Sequence, residues 1–202
     1  MRRVPLLHGV VLGVAWLLAG CGSTTMESIQ RAPDFRTASV HHVMVIGVFN
    51  NQDLRNSLEK EFVNQWKTRG IDAVSSLDVL PSSTTLDKAG VAPIARAQGF
   101  DAVLVTRLLS KTAAHAEERA IRTIQPSTQS DAQNIDSVLQ VLLAPPVTMD
   151  DHDIAILETN LYGVAEGKRL WSGRSETEVV GNVNAMIPAF VKIVLERLYS
   201  SP

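Results

Sequence analysis

The feature that most restricts the fold is a short, wholly apolar run rich in β-branched residues, followed by a segment with helical spacing. Residues 43–48 read VMVIGV, which is typical of a strand buried on both faces of a sheet. The following segment places large apolar residues four apart and charged residues between them, which predicts an amphipathic helix ended by Gly70. Its apolar positions are Leu54, Leu58, Phe62 and Trp66.

The same alternation continues along the chain. Residues 71–75 predict a second strand, and residues 86–98 predict a weaker helix, interrupted near Gly90 and Pro93. Residues 101–108, again mostly apolar, predict a third strand. Strand, helix and strand in alternation with short connections indicate a parallel sheet with right-handed crossovers. We expect the first of these strands to lie between the second and the third.

The C-terminal part has a different pattern. Residues 154–162 and 169–177 are two strand-like runs around a glycine-bounded turn, which predicts an antiparallel hairpin. A last helix should run to Tyr199, with Pro188 in its first turn, where a missing N–H costs least. The apolar stripe of this helix consists of Ile187, Phe190, Val191, Val194 and Leu198.

The predicted fold class is therefore α/β, with a mixed sheet made of a parallel βαβαβ unit followed by an antiparallel hairpin. About three helices pack on this sheet. Residues 41–202 are predicted to form a single domain, since domains commonly contain about 100–200 residues. With 45% hydrophobic and 20% charged residues, the composition is ordinary for a globular protein.

One long insertion interrupts the pattern at about residues 110–151. The stretch exceeds the length of an ordinary connecting loop and contains one apolar patch, residues 135–143, which could form a short helix or a strand. The sequence leaves two roles open for the patch. One is to pack on a partner or a second copy of the chain, and the other is to cover an edge or a face of the sheet. The candidate partner surface consists of Ile135, Val138, Leu139 and Leu142.

The N-terminus reads as a leader followed by a tether. Arg2 and Arg3 precede a 16-residue apolar stretch, which is shorter than the roughly 20 residues that a membrane-spanning helix needs. A positive end and a short apolar core are typical of a signal peptide, here residues 1–20. Residues 22–40 are polar and lack periodicity, which predicts a flexible tether between residue 21 and the domain.

The end of this leader is specific. Leu18, Ala19, Gly20 and Cys21 resemble the lipobox, the recognition sequence of bacterial lipoprotein processing. The resemblance implies cleavage before Cys21 and acylation of its thiol with diacylglycerol and palmitate-type chains, so that the lipid bilayer is a partner. Because Gly22 is not Asp, the resemblance also implies retention in the outer membrane, on its periplasmic face, rather than in the inner membrane. Cys21 is the chain's only cysteine, so no intramolecular disulfide can form.

The charge balance limits the partners further. The chain has 19 basic and 21 acidic residues and a net charge of −2. Removal of the leader takes away two arginines and brings the net charge to about −4. A weakly acidic chain without basic runs argues against nucleic acid as a partner.

Clusters of possible ligands are interpreted as polar surface. Residues 150–153 read DDHD, but adjacent residues rarely converge on one metal ion. The two histidines at 41–42 are also interpreted as polar surface. The same holds for the histidine at 115, which lies near two glutamates. No Gly-x-Ser-x-Gly, GxGxxG or Walker motif occurs, so we predict no catalytic residue, metal or cofactor. Trp66 and Trp171 are predicted to be core residues, whereas a polar hairpin face is assigned to Thr159, Asn160, Arg174, Glu176 and Glu178.

Four segments together resemble a known group. They are the first strand, the helix LRNSLEKEFVNQWKTRG, the strand GFDAVLVTRLL and the hairpin LETNLYGVAEGKRLWSGRSET. They resemble small bacterial envelope lipoproteins whose domain is similar to the N-terminal α/β domain of TolB and, more distantly, to curli-secretion-type lipoproteins. The resemblance covers residues 41–199 except the insertion.

The resemblance implies a non-enzymatic binding or accessory subunit of an envelope assembly or transport system. Its partner would be another envelope protein or a second copy of the chain. The alternative is an oligomeric secretion-channel component in which the insertion supplies a pore-forming hairpin, although membrane strands alternate over about ten residues and this stretch alternates weakly. A hydrolase is a third and lesser alternative.

Overall fold

The computed structural model describes residues 23–84, 88–113 and 153–200. Six strands form one sheet in the order β1-β6-β5-β4-β2-β3. The strands are β1 (Thr24–Arg31), β2 (His42–Val48), β3 (Asp72–Ser75), β4 (Ala102–Ala113), β5 (Asp153–Gly163) and β6 (Arg169–Glu178). The helices are α1 (Gln52–Lys67), α2 (Ser76–Val79), α3 (Lys88–Ala97) and α4 (Val183–Tyr199), with a 3-10 turn at Thr37–Ser39.

The mixed sheet predicted from the sequence is confirmed. β2 pairs in parallel with both β3 and β4, so the first predicted strand lies between the second and the third. β4, β5, β6 and β1 then pair antiparallel in succession. The two halves join at β4, which is parallel to one neighbour and antiparallel to the other.

The two faces of the sheet are covered differently. α1 and α4 pack on one face, where the largest core cluster includes Phe62, Trp66, Leu104, Trp171 and Phe190. We call this the helix face. On the opposite face, α3 packs on the β2–β4 part through a second apolar cluster. The rest of that face, on β5, β6 and β1, carries mainly polar side chains, and we call it the open face.

The α1 helix shows why the local sequence adopts this structure. The Asn51 side chain accepts a hydrogen bond from the Leu54 N–H at 3.1 Å and caps the first turn. Leu54, Leu58, Phe62 and Trp66 are all buried, as their spacing predicts. Gly70 has a φ of +77°, a backbone conformation that glycine adopts without steric cost after a helix.

The predicted tether is wrong for residues 24–31, which form the edge strand β1. This strand pairs antiparallel with β6 from Thr24 to Arg31, and Met26 packs against the helix-face core. The polar sequence gave no strand pattern because, among the described elements, only one face of this edge strand is packed, and such a strand needs few apolar residues. The folded domain therefore begins well before residue 41.

Pro188 lies inside α4. The prediction that it lies in the first turn of this helix is therefore wrong. The helix begins after Asn182, whose side chain accepts a hydrogen bond from the Asn184 N–H at 2.9 Å. Pro188 has no N–H to donate to the Asn184 carbonyl. Both residues are exposed, so water can satisfy that carbonyl at small cost.

The long insertion is shorter than predicted. β4 continues to Ala113, which pairs with Asp153 at the start of β5. The connection between these strands, residues 114–152, lies outside the described residues. Because its two ends belong to one antiparallel pair, the insertion joins neighbouring strands. The apolar pattern did not predict the last part of β4, because residues 110–113 are largely polar.

Candidate functional site

The residues predicted to carry or specify the lipid all lie outside the described part of the chain. They are Leu18, Ala19, Gly20 and Cys21. The first described residue, Ser23, already belongs to the folded domain, because its carbonyl accepts a hydrogen bond from the Glu178 N–H at 3.0 Å. A lipid on Cys21 would therefore be attached two residues from the sheet, and not at the end of a long tether.

The predicted partner surface also lies outside the described residues. It comprises Ile135, Val138, Leu139 and Leu142. The strands that lead into and out of this segment end beside each other at Ala113 and Asp153. Both roles predicted for these four residues, a partner surface and a cover for the sheet, stay predictions.

An apolar groove opens between the N-terminal parts of α1 and α4 and the adjoining ends of β5 and β6. We call it the α1–α4 groove. Eleven residues line it, and only Thr177 among them is polar. The lining includes Leu54, Leu58, Leu157, Val179, Val183 and Met186.

The single polar group in the groove already has a partner. The Thr177 hydroxyl lies 3.0 Å from the hydroxyl of Thr24 on β1. The groove is therefore suited to hydrocarbon, because it offers no unpaired side-chain donor or acceptor to a polar ligand.

A row of alternating charges crosses the open face. Register pairs Arg107 with Glu158 and Glu158 with Arg174. The Nε and Nη2 atoms of Arg107 each lie 2.8 Å from Glu158 Oε2, and Arg174 Nε lies 2.9 Å from Glu27 Oε2. Opposite charges on neighbouring strands stabilise the pairing of those strands, so this row accounts for much of the polar character of the face.

Two carboxyl groups meet at the β1 end of this row. A hydrogen bond with Glu27 raises the pKa of Glu176 above its ordinary value, and partial burial and the Glu27 charge add to the rise. Arg174 opposes the rise. Protonation of Glu176 is therefore easier in the folded protein than in the unfolded chain.

In the described part of the chain, the most buried charged group is Glu59, one of the charged residues that lie between the apolar positions of α1 in the sequence. Its side chain is 0% exposed, and Oε1 accepts hydrogen bonds at 2.8 Å from the Gly47 N–H and from Arg55 Nε. Oε2 accepts from the Ser75 hydroxyl at 2.6 Å, and the Ser76 hydroxyl contacts both oxygens at 2.9 Å. The carboxylate thus links α1 to the ends of β2 and β3.

Position alone would make Glu59 a candidate site residue, since ligands of open α/β sheets bind at the carboxyl ends of parallel strands. The protein's own donors fill the acceptor positions of the carboxylate, so the arrangement is structural. In the sequence, a glutamate such as Glu59 between polar residues resembles the charged residues that are common on solvated helix faces. The helical spacing of α1 therefore contained no signal for this network.

The candidate metal ligands that the structure describes have structural contacts. The His42 ring stacks on Phe100 with centroids 4.1 Å apart, and its Nδ1 lies 3.2 Å from the Gly99 carbonyl. Asp153 is buried, and its Oδ2 lies 3.0 Å from Lys111 Nζ. No group of three or more potential ligands occurs in the described ranges. The other candidate ligands, residues 115, 117, 118 and 150–152, lie outside them.

The two tryptophans are core residues, as predicted. Trp66 and Trp171 are both 0% exposed. The indole N–H of Trp66 donates to the Tyr199 hydroxyl at 3.1 Å. The Trp171 ring lies over Gly173, where any side chain would collide with it.

The assignment of the hairpin's polar face needs one correction. Thr159 lies on the helix face and is buried, with its hydroxyl 3.1 Å from that of Thr106. The polar pair could occupy a core position because each hydroxyl satisfies the other. The remaining four predicted residues lie on the open face: Asn160, Arg174, Glu176 and Glu178.

The chain is similar to solved structures at low sequence identity. A PelC dodecamer from Paraburkholderia phytofirmans is 13% identical, with a TM-score of 0.51, over 89% of this chain and 100% of that chain. A variant of that dodecamer is 15% identical over 89% and 100% of the two chains, with a TM-score of 0.46. Lipoprotein GNA1162 from Neisseria meningitidis is 13% identical over 79% and 97%, with a TM-score of 0.43.

The first of these similarities shows the α/β fold across nearly the whole chain. No protein-family model and no curated protein sequence matches the chain. The expected similarity to the TolB N-terminal domain stays a prediction. In the described part of the chain, no helix is long and apolar enough to cross a membrane.

Proposed function

We propose that this chain is a lipid-anchored, non-enzymatic subunit of a bacterial cell-envelope assembly or transport system. Cys21 would hold it at the periplasmic face of the outer membrane. The folded domain would then associate with further copies of itself and with other envelope proteins. The proposal combines an anchor, an assembling domain and an absence of catalysis, and different observations support each of the three.

The observation that carries self-association is the fold shared with the PelC dodecamer. The match covers 100% of that chain and 89% of this one, so the likeness includes both the parallel and the antiparallel half of the sheet. A domain whose sheet ends, among the described residues, in a long edge strand suits assembly, because backbone groups on such an edge can be contacted by another chain. Here that edge is β1.

The start of the domain supports the anchor. Ser23 is bound to β6, so acylation of Cys21 would bring one end of the sheet close to the membrane surface. Multiple acyl chains give durable attachment, whereas a single short chain is marginal. The short connection would fix which end of the domain meets the bilayer.

The satisfied polar groups support a binding role over catalysis. Glu59 is saturated with hydrogen bonds from the chain, Arg107 pairs with Glu158, and Thr106 contacts Thr159. Each of these buried or half-buried clusters joins secondary-structure elements. Their hydrogen bonds stabilise the fold and leave little capacity for a reacting group.

The anchor is tested by the substitution Cys21→Ser in cells fed labelled palmitate. We expect the variant to take up no label and to leave the membrane fraction, because serine cannot form the thioether. Ser23→Ala is the matched control, since it lies two residues away and keeps the thiol. It should be labelled and sediment with outer membranes. A Cys21→Ser protein that is still labelled and still membrane-bound would refute the anchor.

A second candidate function is an oligomeric secretion-channel component. The pairing of Ala113 with Asp153 favours it, because the insertion leaves the sheet from one antiparallel strand pair, as an extended hairpin would. Under this hypothesis residues 114–152 line or form the pore.

Replacement of residues 114–152 by a four-residue turn tests the channel hypothesis. A short turn can join paired antiparallel strands, so the domain should still fold. If the chain forms a channel, the full-length protein conducts ions in planar bilayers and the shortened protein does not. Equal conductance of the two proteins, or none from the full-length protein, would exclude a pore built from the insertion.

A further inference from the structure

Three apolar side chains on the open face belong to neither apolar cluster of the described core. They are Leu109 on β4 and Ile154 and Ile156 on β5. Leu108 and Leu157 pack in the core of the helix face. Because side chains alternate between the two faces of a strand, the neighbours of these two leucines point to the open face. Leu109 is 38% exposed, and the two isoleucines are half-buried.

These three side chains lie close together, and we call them the open-face patch. The register places Ser110 opposite Ile156, and Leu109 occupies the irregularity in β4 beside this pair. Ile154 is two residues from Ile156 on the same strand, about 7 Å away. The apolar contacts of α3 involve β2 and the first part of β4 and do not include the patch. Since apolar side chains are favoured away from water, the patch is suited to contact with a further apolar element.

The size of the patch limits what that element can be. A stable interface between two proteins buries roughly 800 Å² on each partner, which is far more than three aliphatic side chains provide. The patch also ends abruptly, because Glu176 and Glu178 lie beside the two isoleucines on β6. A short segment of the same chain needs less contact area, since its connection to the domain keeps its local concentration high.

The insertion is the segment that begins and ends beside the patch. It leaves the sheet after Ala113 and returns at Asp153, which are paired at the ends of β4 and β5. Leu109 and Ile156 lie within about 14 Å of those ends along the same two strands. Residues 143–152 connect the apolar part of the insertion to Asp153 and can span up to about 35 Å when extended. The connection is therefore long enough to bring that part back over the patch.

The apolar positions of the insertion match the patch in size. Ile135, Val138, Leu139 and Leu142 have the spacing of one helical face, and such a face is about 10 Å long. We propose that residues 135–142 dock as a short helix on the open-face patch of the same chain. This inference goes beyond the proposed function and does not depend on the lipid. An insertion held in this way belongs to the domain and is not available to line a pore.

The test places a photo-crosslinking residue on the patch of the full-length protein. In the variant Leu109→p-benzoylphenylalanine, irradiation joins the benzophenone to a neighbouring carbon atom, and mass spectrometry identifies the joined peptide. Leu77→p-benzoylphenylalanine is the matched control, because Leu77 is 39% exposed but lies on α2. We expect crosslinks from position 109 to a peptide that contains residues 135–142, at about ten times the yield of the control. A denaturing gel should show that each crosslinked species contains a single polypeptide.

Two double variants in the same background separate docking from mere proximity. Val138→Asp with Leu142→Asp places two charges on the apolar face, whereas Ser137→Asp with Gln140→Asp places the same charges on the opposite side of the predicted helix. We expect the first pair to lower the crosslink yield about tenfold and the second pair to leave it unchanged. If the first pair prevents folding, the crosslinks of the chain with only the probe at position 109 still decide.

Several results would overturn the docking. Crosslinks that join two polypeptides would show that the patch meets a second copy, and crosslinks only to lipid or detergent would show that it faces the membrane. Equal yields from positions 109 and 77, or from the two folded double variants, would show that residues 135–142 do not bind the patch.

Discussion

At the scale of single residues, the open face combines strand-stabilising charge pairs with one unfavourable contact. Arg107 and Glu158 neutralise each other in a half-buried position, where each side chain is at most 14% exposed. Glu176 faces Glu27 instead, and Arg174 compensates only in part. The difference matters because a carboxyl with a raised pKa makes folding stability depend on pH.

Replacement of Glu176 by Gln tests this contact. The pKa of Glu176 is raised in the folded state, so its contribution to stability is greatest below the pKa of the unfolded chain. The contribution is lost as pH rises through the folded pKa. Glu176→Gln should therefore raise Tm at about pH 7 and have little effect at about pH 4, where the wild-type carboxyl becomes protonated.

Thermal melts at the two pH values measure the effect, with Glu166→Gln as the control on an exposed turn. The control should change Tm by similar small amounts at both pH values. If Glu176→Gln lowers Tm at pH 7, the Glu27 contact is not repulsive and the explanation is wrong.

At the scale of elements, α1 provides most of the link between the sheet and the second large helix. Phe62 is 0% exposed and makes an edge-on contact with Phe190 of α4, with centroids 6.3 Å apart. The same helix buries Glu59 against the ends of β2 and β3. Loss of a large apolar side chain here would leave a cavity between three elements.

We expect Phe62→Ala to lower the free energy of unfolding by about 3–5 kcal/mol, the usual cost of such a truncation in a core. Leu109→Ala is the control, because Leu109 is 38% exposed and exposed substitutions usually change stability by about 0.5 kcal/mol or less. Chemical denaturation of the two variants gives both values. Equal stabilities would show that this helix face is not part of the core.

The elements also show how far sequence reasoning extends. β2, α1 and the β5–β6 hairpin followed from apolar periodicity, since burial on one or both faces imposes a repeat that can be recognised. β1 did not, because its partner β6 supplies the hydrogen bonds and its side chains are mostly exposed. The buried network of Glu59 was also unpredictable, since all of its donors except Arg55 are 12 to 18 residues distant in sequence.

At the scale of the whole molecule, the proposed function needs two properties that act together, a lipid anchor and an assembling domain. The anchor would bring one end of the sheet to the membrane, and β1, the edge strand of the described sheet, would contact neighbouring copies. The sequence indicated the anchor through the residues around Cys21, whereas the α1–α4 groove was recognised only in the three-dimensional structure. The groove combines side chains from α1, α4, β5 and β6, and no single segment of the sequence identifies it.

The mass of the lipidated protein in mild detergent shows whether the domain assembles with copies of itself. Light scattering, corrected for bound detergent, gives the protein mass of the particle in solution. We expect a uniform particle of many times the 22.0 kDa of one precursor chain, since the domain is proposed to assemble with copies of itself. A particle that contains a single chain at every protein concentration measured would contradict it.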